Sequence, residues 1–597
     1  MAGTRPILLF TAASLTFGAR AQSNAHLDIN AVRARFHAHG LIGADPALSM
    51  PGFEVPQGQG THALYAGGLW FAGTTSDQQL RVAALKAEAA GESDFYPGPL
   101  RTDGTTDAAI MDAYDQVWSV TRQEVEQHIA FFNCLSDPEC DMATEFPDGY
   151  ETPTSFFAWP AINTAPGLAT YQAPFYDFNG DGDYQPADGD APCILGDQAL
   201  YFVFNDAGGP HVLTGGTPIG LEVQAMPFAI NSGEAHLDNT VFVHYHVINR
   251  GTLTLTEAHI GFFNDFDLGC PEDDHAGSDP TRNLLYILNG DDNDQNCLGL
   301  EGYGAQPPAF GLTVLKGPQL DPDLTDNQYG EVMPAWNGYG FDDDIFDNER
   351  HGLSRAVYML RDGPFAMVEP IAAVEYAGYL KGRWRDGSIV SYGGDANGGA
   401  IPARWVFPND TDPNGVGTNG QPATAWTEAN VNNPPSDRRM LASMGPITLE
   451  PGEHIDLLFA YVYARAANGG PAASMFALQQ RVDSVRAFAE GLPLWNIAED
   501  VFQGACEGTT ITGLGERAEA ELLTLFPVPA TEEVRFVATP ALIGGRFVVS
   551  DAQGRTVAAQ RVGPGVNAIP VASLEPGMNV CEITTARTRA VGRLIKE

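Results

Sequence analysis

The stretch that constrains the fold most is Val241-Phe-Val-His-Tyr-His-Val-Ile248, an unbroken run of β-branched, aromatic and histidine side chains. Such residues fit a pleated strand and crowd a helix. A period of two sets Val241, Val243, Tyr245 and Val247 on one face and Phe242, His244, His246 and Ile248 on the other. Similar runs predict strands at Ala199–Phe204, Ile219–Ile230, Asn239–Asn249 and Glu257–Asp265, the last returning after an Asn249-Arg-Gly251 turn. Residues 437–466 read as two paired strands about Leu449-Glu-Pro-Gly-Glu453. Helices are few. Thr121-Arg-Gln-Glu124 is a capping box followed by Val125, Ile129 and Phe132 at helical spacing, and a second helix is expected over 473–490. His128 lies on the first of them and reads as a core-edge histidine. With 66 glycines and 42 prolines punctuating the chain, the class is mainly β: a multi-domain β-sandwich body with a few helices. His244 and His246, two apart on one strand face, are half of a transition-metal site; without a third ligand nearby in sequence, a half-exposed sheet face is the simpler reading.

A second stretch carries chemistry. From Asp177 to Asp190 the chain reads D-F-N-G-D-G-D-Y-Q-P-A-D-G-D. Counted from Asp177, oxygen-bearing side chains stand at positions 1, 3, 5, 7 and 12: Asp177, Asn179, Asp181, Asp183 and Asp188, with Gly182 at the sharp reversal. Calcium takes six to eight oxygens, and this spacing wraps one short loop around it. Asp188 replaces the usual bidentate Glu, and Asp190 stands behind as an alternative or supporting ligand. The stretch resembles a dockerin-like or thrombospondin-type loop more than an EF-hand pair. All its ligands are oxygens, so the expected role of calcium is structural. Asn, Asp and Gly also make acidic turns without any metal, and that is the competing reading. Acidic residues at strand ends from Asp265 to Asp279 are the second candidate for calcium.

The net charge of −43 argues against nucleic acid as a partner. Only four residues are lysines, Lys86, Lys316, Lys381 and Lys596. The charge is uneven: residues 22–522 carry −47 and residues 523–597 carry +2, which places a domain boundary near 520. At the N-terminus, Arg5, the apolar run Ile7–Gly18 and Ala19-Arg-Ala21 succeed one another in the order of a secretory signal, with cleavage expected after Ala21. No later stretch approaches the ~18–20 consecutive apolar residues that span a membrane. Seven cysteines in an exported chain allow three disulfides, and Cys134 with Cys140 and Cys270 with Cys297 are the candidate pairs. No H-E-x-x-H, G-x-S-x-G, phosphate loop or dinucleotide fingerprint is present. A carboxylate pair of the glycosidase kind leaves no such local trace.

The last ~75 residues resemble a known family. Leu525-Phe-Pro-Val-Pro-Ala530, Val549-Ser-Asp-Ala-Gln-Gly-Arg-Thr-Val557, Leu574-Glu-Pro-Gly-Met578 and Arg593-Leu-Ile-Lys596 are similar to the motifs of the C-terminal sorting domain of the type IX secretion system. Val528 stands where Asn is usual, and Cys581 where an aliphatic residue is usual. The resemblance implies a small Ig-like β-sandwich that directs export across the outer membrane of a Gram-negative bacterium. It also implies removal by a sortase-like peptidase and attachment of the cargo to an anionic lipopolysaccharide. In the body, Phe53-Glu-Val-Pro56, Leu69-Trp70, Trp159-Pro160, Gly196-Asp-Gln198, Pro435-Ser-Asp-Arg-Arg439 and Gly445-Pro446, with the acidic loop, resemble large cargo proteins of that system; no activity comes with this likeness.

The expected organisation is therefore a signal peptide (1–21), a β-rich body (22–506, with a subdomain break placed near 190–200), a linker (507–522) and the sorting domain (523–597). The expected function is binding or adhesion at the cell surface, with calcium as a structural cofactor and a glycan as candidate ligand. The alternative is a polysaccharide-active hydrolase. A pocket with two inward carboxylates beside exposed aromatics favours the hydrolase; acidic loops without such a cleft favour the binder.

Overall fold

The computed structural model describes residues 23–490 apart from 47, 88–92, 329–337 and 423–424, and residues 521–596 apart from 524, 540–541, 543–545, 551–555, 573, 575–576 and 585–588. The expected signal peptide, most of the linker and the centre of the Val549–Val557 motif lie outside the described residues. Strand accounts for 37% and helix for 16%, so the protein is mainly β. The chain divides into two compact units, Met1–Glu507 and Gly508–Glu597.

The first unit is built on two large antiparallel sheets. In one, strands Arg355–Leu360, Arg438–Leu449, Leu255–Phe266 and Ala66–Thr75 lie side by side, followed by the short strands of residues 33–64. In the other, Asp274–Asp279, Leu284–Asn289, Ala309–Lys316, His454–Ala464, Thr240–Asn249, Leu221–Ala229 and Gln198–Asn205 follow in order. The expected face of strand 240–249 is the one that enters the core: Val241, Val243, Tyr245 and Val247 belong to the cluster shared by both sheets. There Phe262 of the first sheet meets Phe459 of the second with ring centroids 3.9 Å apart. Helix Gly470–Glu490 covers part of the outer face of the second sheet, where Phe488 reaches Phe242 at 5.9 Å. Helix Ala373–Leu380 does the same for the first sheet, with Tyr376 edge-on to Trp70 at 4.7 Å. The helix sits so close that a Cβ on Gly261 would meet the Leu380 side chain at 2.7 Å.

Two expected hairpins are something else. Strands 240–249 and 255–266 belong to different sheets, as do 438–449 and 454–464. Strand 240–249 already has 221–229 and 454–464 along its two edges, so no edge is left for the returning chain. Both connections are therefore arches from one sheet to the other. Buried Asn249 ties them together: its backbone N–H donates to Glu453 O (2.9 Å), and its side-chain amide donates to Leu253 O (3.0 Å) and Leu449 O (3.1 Å). Strand 198–205 pairs with 221–229 on one edge and with Trp118–Thr121 and Tyr96–Pro97 on the other, so segments on both sides of residues 190–200 share one sheet. The capping box forms in both directions, Thr121 Oγ1 accepting from Glu124 N–H and Glu124 Oε2 from Thr121 N–H, and the helix runs Arg122–Ser136. Disulfides join Cys134 to Cys140 and Cys270 to Cys297, and Cys193 is also disulfide-bonded.

The second unit is a small β-sandwich. Its five-stranded sheet orders Glu521–Leu522, Arg589–Lys596, Gly577–Thr584, Arg546–Ser550 and Thr556–Arg561, and Glu533–Ala538 pairs with Gly565–Pro570. Phe536 stacks on Phe547 at 5.0 Å within its core. Cys581 is free and buried there, and burial pushes its thiol up to about 12. Among the described residues of the whole chain, no helix is long and apolar enough to cross a membrane.

Candidate functional sites

The acidic loop is closed at its base by a short ladder, Phe175 opposite Pro192 and Tyr176 opposite Ala191. Within it Asp177, Asn179, Asp181 and Asp190 bond to the loop's own amides, and among the described residues no three of its carboxylates converge to within 4.8 Å. Asp177 Oδ1 accepts from Gly180 N–H (2.7 Å) and its Oδ2 from Gly182 N–H (2.8 Å). Asn179 Oδ1 accepts from Asp181 N–H and Asp181 Oδ1 from Asp183 N–H, each at 2.9 Å. Gly182 has φ +82°, a conformation that costs a residue with a Cβ. Asn179, Asp181 and Asp183 are exposed, as is Asp188 at the end of a 3₁₀ turn, Pro186–Asp188, whose Pro186 is buried. Asp190 differs from the rest. It is fully buried, and its two oxygens accept from Phe178 N–H (2.8 Å) and Gln185 N–H (2.7 Å), joining the two arms of the loop. Burial raises its proton affinity, and Asp177 and Asp181 add to this, against those two hydrogen bonds.

Elsewhere, two groups of three metal-ligating side chains converge to within 4.8 Å among the described residues. The first is Asp265, Asp267 and Asp437. Asp265 comes from the end of strand 255–266, opposite Arg439 on strand 438–449, so the ladder itself brings these distant positions together. The three line a pocket of about 680 Å³ whose walls include Tyr65, Lys86, Phe263, Arg361, Glu369, Arg385 and Arg439. Arg439 is the hub: it contacts Asp265 Oδ2 (3.2 Å), Glu369 Oε1 (2.6 Å) and Asp437. Glu369 also pairs with Lys86 at 2.7 Å. Asp267 stands apart. It is 8% exposed, lines the pocket, and has neither a hydrogen bond nor an ion pair among the described residues. Burial raises the proton affinity of Asp265, Asp267 and Asp437, and neighbouring carboxylates add to it (for Asp437, Glu272 and Glu369); Arg439 opposes both effects. Further along the 265–279 segment, Asp274 accepts from Leu268 N–H (3.2 Å) through one oxygen while the other is unpaired among the described residues, and Asp279 pairs with Arg282 (2.8 Å).

The second group is His246, His454 and Asp456. His246 is opposite Asp456 and Ile248 opposite His454, so the pleat puts these ligands and His244 on one face. His244 and His246 are buried, at 7% and 8% exposure. The third ligand missing from the local sequence is supplied by the neighbouring strand; His454-x-Asp456 opposite His246-x-Ile248 was the signal, and it required knowing the pairing. His128, also singled out in the sequence, is fully buried in the core, with Nδ1 2.8 Å from the Tyr150 hydroxyl and Nε2 without a hydrogen bond among the described residues.

No family model matches the chain, and no curated protein matches it. A solved polysaccharide lyase aligns over 63% of this chain at 9% identity with a TM-score of 0.17, and the chain spans about a third (34%) of that structure's length. A likeness at that TM-score carries no argument about fold or activity.

Proposed function

We propose that the body is an exported, calcium-stabilised binding protein that takes a glycan in the pocket floored by Asp265, Asp267 and Asp437. The observation that carries this reading is Asp267: a buried carboxylate with no donor, facing a pocket rimmed by Lys86, Arg361 and Arg385. An unpaired buried polar group costs about 1–3 kcal/mol, and more when charged, so a partner that supplies donors gains that amount back. Sugar hydroxyls donate to carboxylates and accept from guanidinium and ammonium groups at once, which matches this mixture of signs. Tyr65, partly exposed, adds ring surface. Export through the type IX system rests on the terminal motifs and on the charge reversal near residue 520. Calcium rests on the spacing of Asp177, Asn179, Asp181, Asp183 and Asp188.

One observation favours the hydrolase as a second reading. Oxygens of Asp265, Asp267 and Asp437 lie within 4.8 Å of one another, near the ~5–5.5 Å separation of a retaining carboxylate pair, and their raised proton affinity is what a general acid needs. Against it, Arg439 occupies Asp265 and Asp437, leaving a single carboxylate without a donor. The test is a glycan array on the purified body, wild type and Asp267→Asn, with reducing-end release assayed in parallel. Binding lost in Asp267→Asn without sugar release supports the binder, and release lost in the variant supports the hydrolase. A bound glycan indifferent to Asp267→Asn overturns the assignment of the pocket.

A further inference from the structure

The histidine cluster on the outer face of the second sheet is independent of that pocket. His246 Nδ1 lies 2.9 Å from Asp456 Oδ1, and His454 Nε2 lies 3.5 Å from Asp456 Oδ2. The His246 and His454 rings are 4.6 Å apart between centroids. A tetrahedral zinc ion with bonds of about 2.0–2.1 Å sets neighbouring ligand atoms roughly 3.3 Å apart, so these separations are those of a ligand set drawn around one ion. His244 approaches the same carboxylate from the other side, its buried Nε2 3.3 Å from Asp456 Oδ1 and without a hydrogen bond. Three imidazoles around one carboxylate are more nitrogen than that carboxylate needs. His246 and His454 also line a cavity of about 420 Å³ together with Tyr171, Gln224 and Arg250. The charge of Arg250 is already countered by buried Glu222 at 3.2 Å, which leaves the cavity open to a cation.

We propose that His246, His454 and Asp456 bind a divalent transition ion of the zinc type, with the fourth coordination position open to the cavity and His244 as the residue that positions Asp456. Two nitrogens and one carboxylate oxygen suit zinc and exclude a calcium-type site, which is built from oxygens alone. An open position is the arrangement that lets zinc take a water or an exchangeable ligand instead of closing a structural knot. The site is at the outer surface of the sheet, so an ion enters without unfolding: His454 is exposed and forms its rim.

The test uses the full chain purified without a polyhistidine tag, stripped with chelator and titrated with zinc, and separately with cobalt(II) to read the visible bands of a tetrahedral site. One tightly held ion per chain is expected, with no competition from millimolar calcium. His454→Ala, at the exposed rim where folding is not at stake, and the isosteric Asp456→Asn should each weaken zinc by more than about 100-fold, and His244→Phe by about 10–100-fold as a positioning residue. Circular dichroism of each variant separates lost ligands from lost fold. Absence of zinc binding by the wild type overturns the proposal. So does equal binding by wild type, His454→Ala and Asp456→Asn.

Discussion

The acidic loop of residues 177–190 and the acidic pocket at Asp265, Asp267 and Asp437 are both clusters of carboxylates, yet they spend their charge differently. In the loop, Asp177 and Asp181 accept from amides two to five residues away, and the acids are largely in water. In the pocket Asp265, Asp267 and Asp437 are buried, and Arg439 is shared among Asp265, Asp437 and Glu369 while Asp267 receives nothing. A dense acidic sequence is therefore the cheaper arrangement, because water and local amides screen it. A sparse one assembled by the sheet stores unfavourable desolvation, and that imbalance is what a ligand can relieve.

The sharpest way to break this contrast is to remove the hub. Arg439→Ala leaves Asp265, Asp437 and Glu369 near one another without their common cation. Taking one partner from a buried ionic network costs about 3–5 kcal/mol. Urea unfolding of wild type and variant in chelator reads the loss directly. A cost below about 1 kcal/mol, the range of a surface pair, would mean that the pocket is as well solvated as the loop.

Asp267→Asn should act in the opposite direction. The folded-state proton affinity of Asp267 is raised above the unfolded value of about 3.9, chiefly by burial. From that pH upward to the raised native value, the folded protein binds more protons than the unfolded one. Stability from this group is therefore complete below about pH 4 and is lost as pH rises through the native value. Asn mimics the protonated form, so the variant should gain about 1–3 kcal/mol at pH 8 and nothing at pH 4, both in chelator. Thermal unfolding at the two pH values checks it, and a variant no more stable than wild type at pH 8 would show that the carboxylate is solvated.

Within the loop, Asp190 is the residue that resembles the pocket. Asp190→Ala strands Phe178 N–H and Gln185 N–H, so it should cost about 1–2 kcal/mol with or without calcium. A calcium-dependent cost would make Asp190 a ligand and not a tie between the loop's arms.

How much of this was legible follows from sequence distance. The strand faces could be read at Val241–Ile248 because a two-residue period is local, and so could the capping box at Thr121 and Glu124. The arches at 250–254 and 450–453 could not, because Pro451-Gly452 reports a turn but not which sheet edge is already taken. The loop was visible because its oxygens are consecutive. Asp265 and Arg439 meet across 174 positions and His246 and Asp456 across 210, so neither cluster exists in any window of the sequence. For the histidines half the pattern was in view, and the other half lay on the strand that the ladder supplies.

The smallest expected effect tests the loop itself. Extracellular calcium modules bind at about 10⁻⁴–10⁻³ M, so millimolar calcium at one to ten times the dissociation constant adds only about 0.4–1.4 kcal/mol by mass action. The Asp181 side chain is exposed, accepts only from Asp183 N–H and the Asn179 amide, and is outside any strand. Without calcium, Asp181→Ala should therefore stay within about 0.5 kcal/mol of wild type. With calcium it should forgo the gain that wild type shows, and Asp188→Ala should forgo part of it if its shorter side chain reaches the ion through one oxygen. The measurement is thermal unfolding of the three proteins in chelator and in millimolar calcium. Equal calcium shifts in wild type and Asp181→Ala would move the stabilising ion away from this loop, and would leave residues 177–190 as a turn that holds itself together by its own amides.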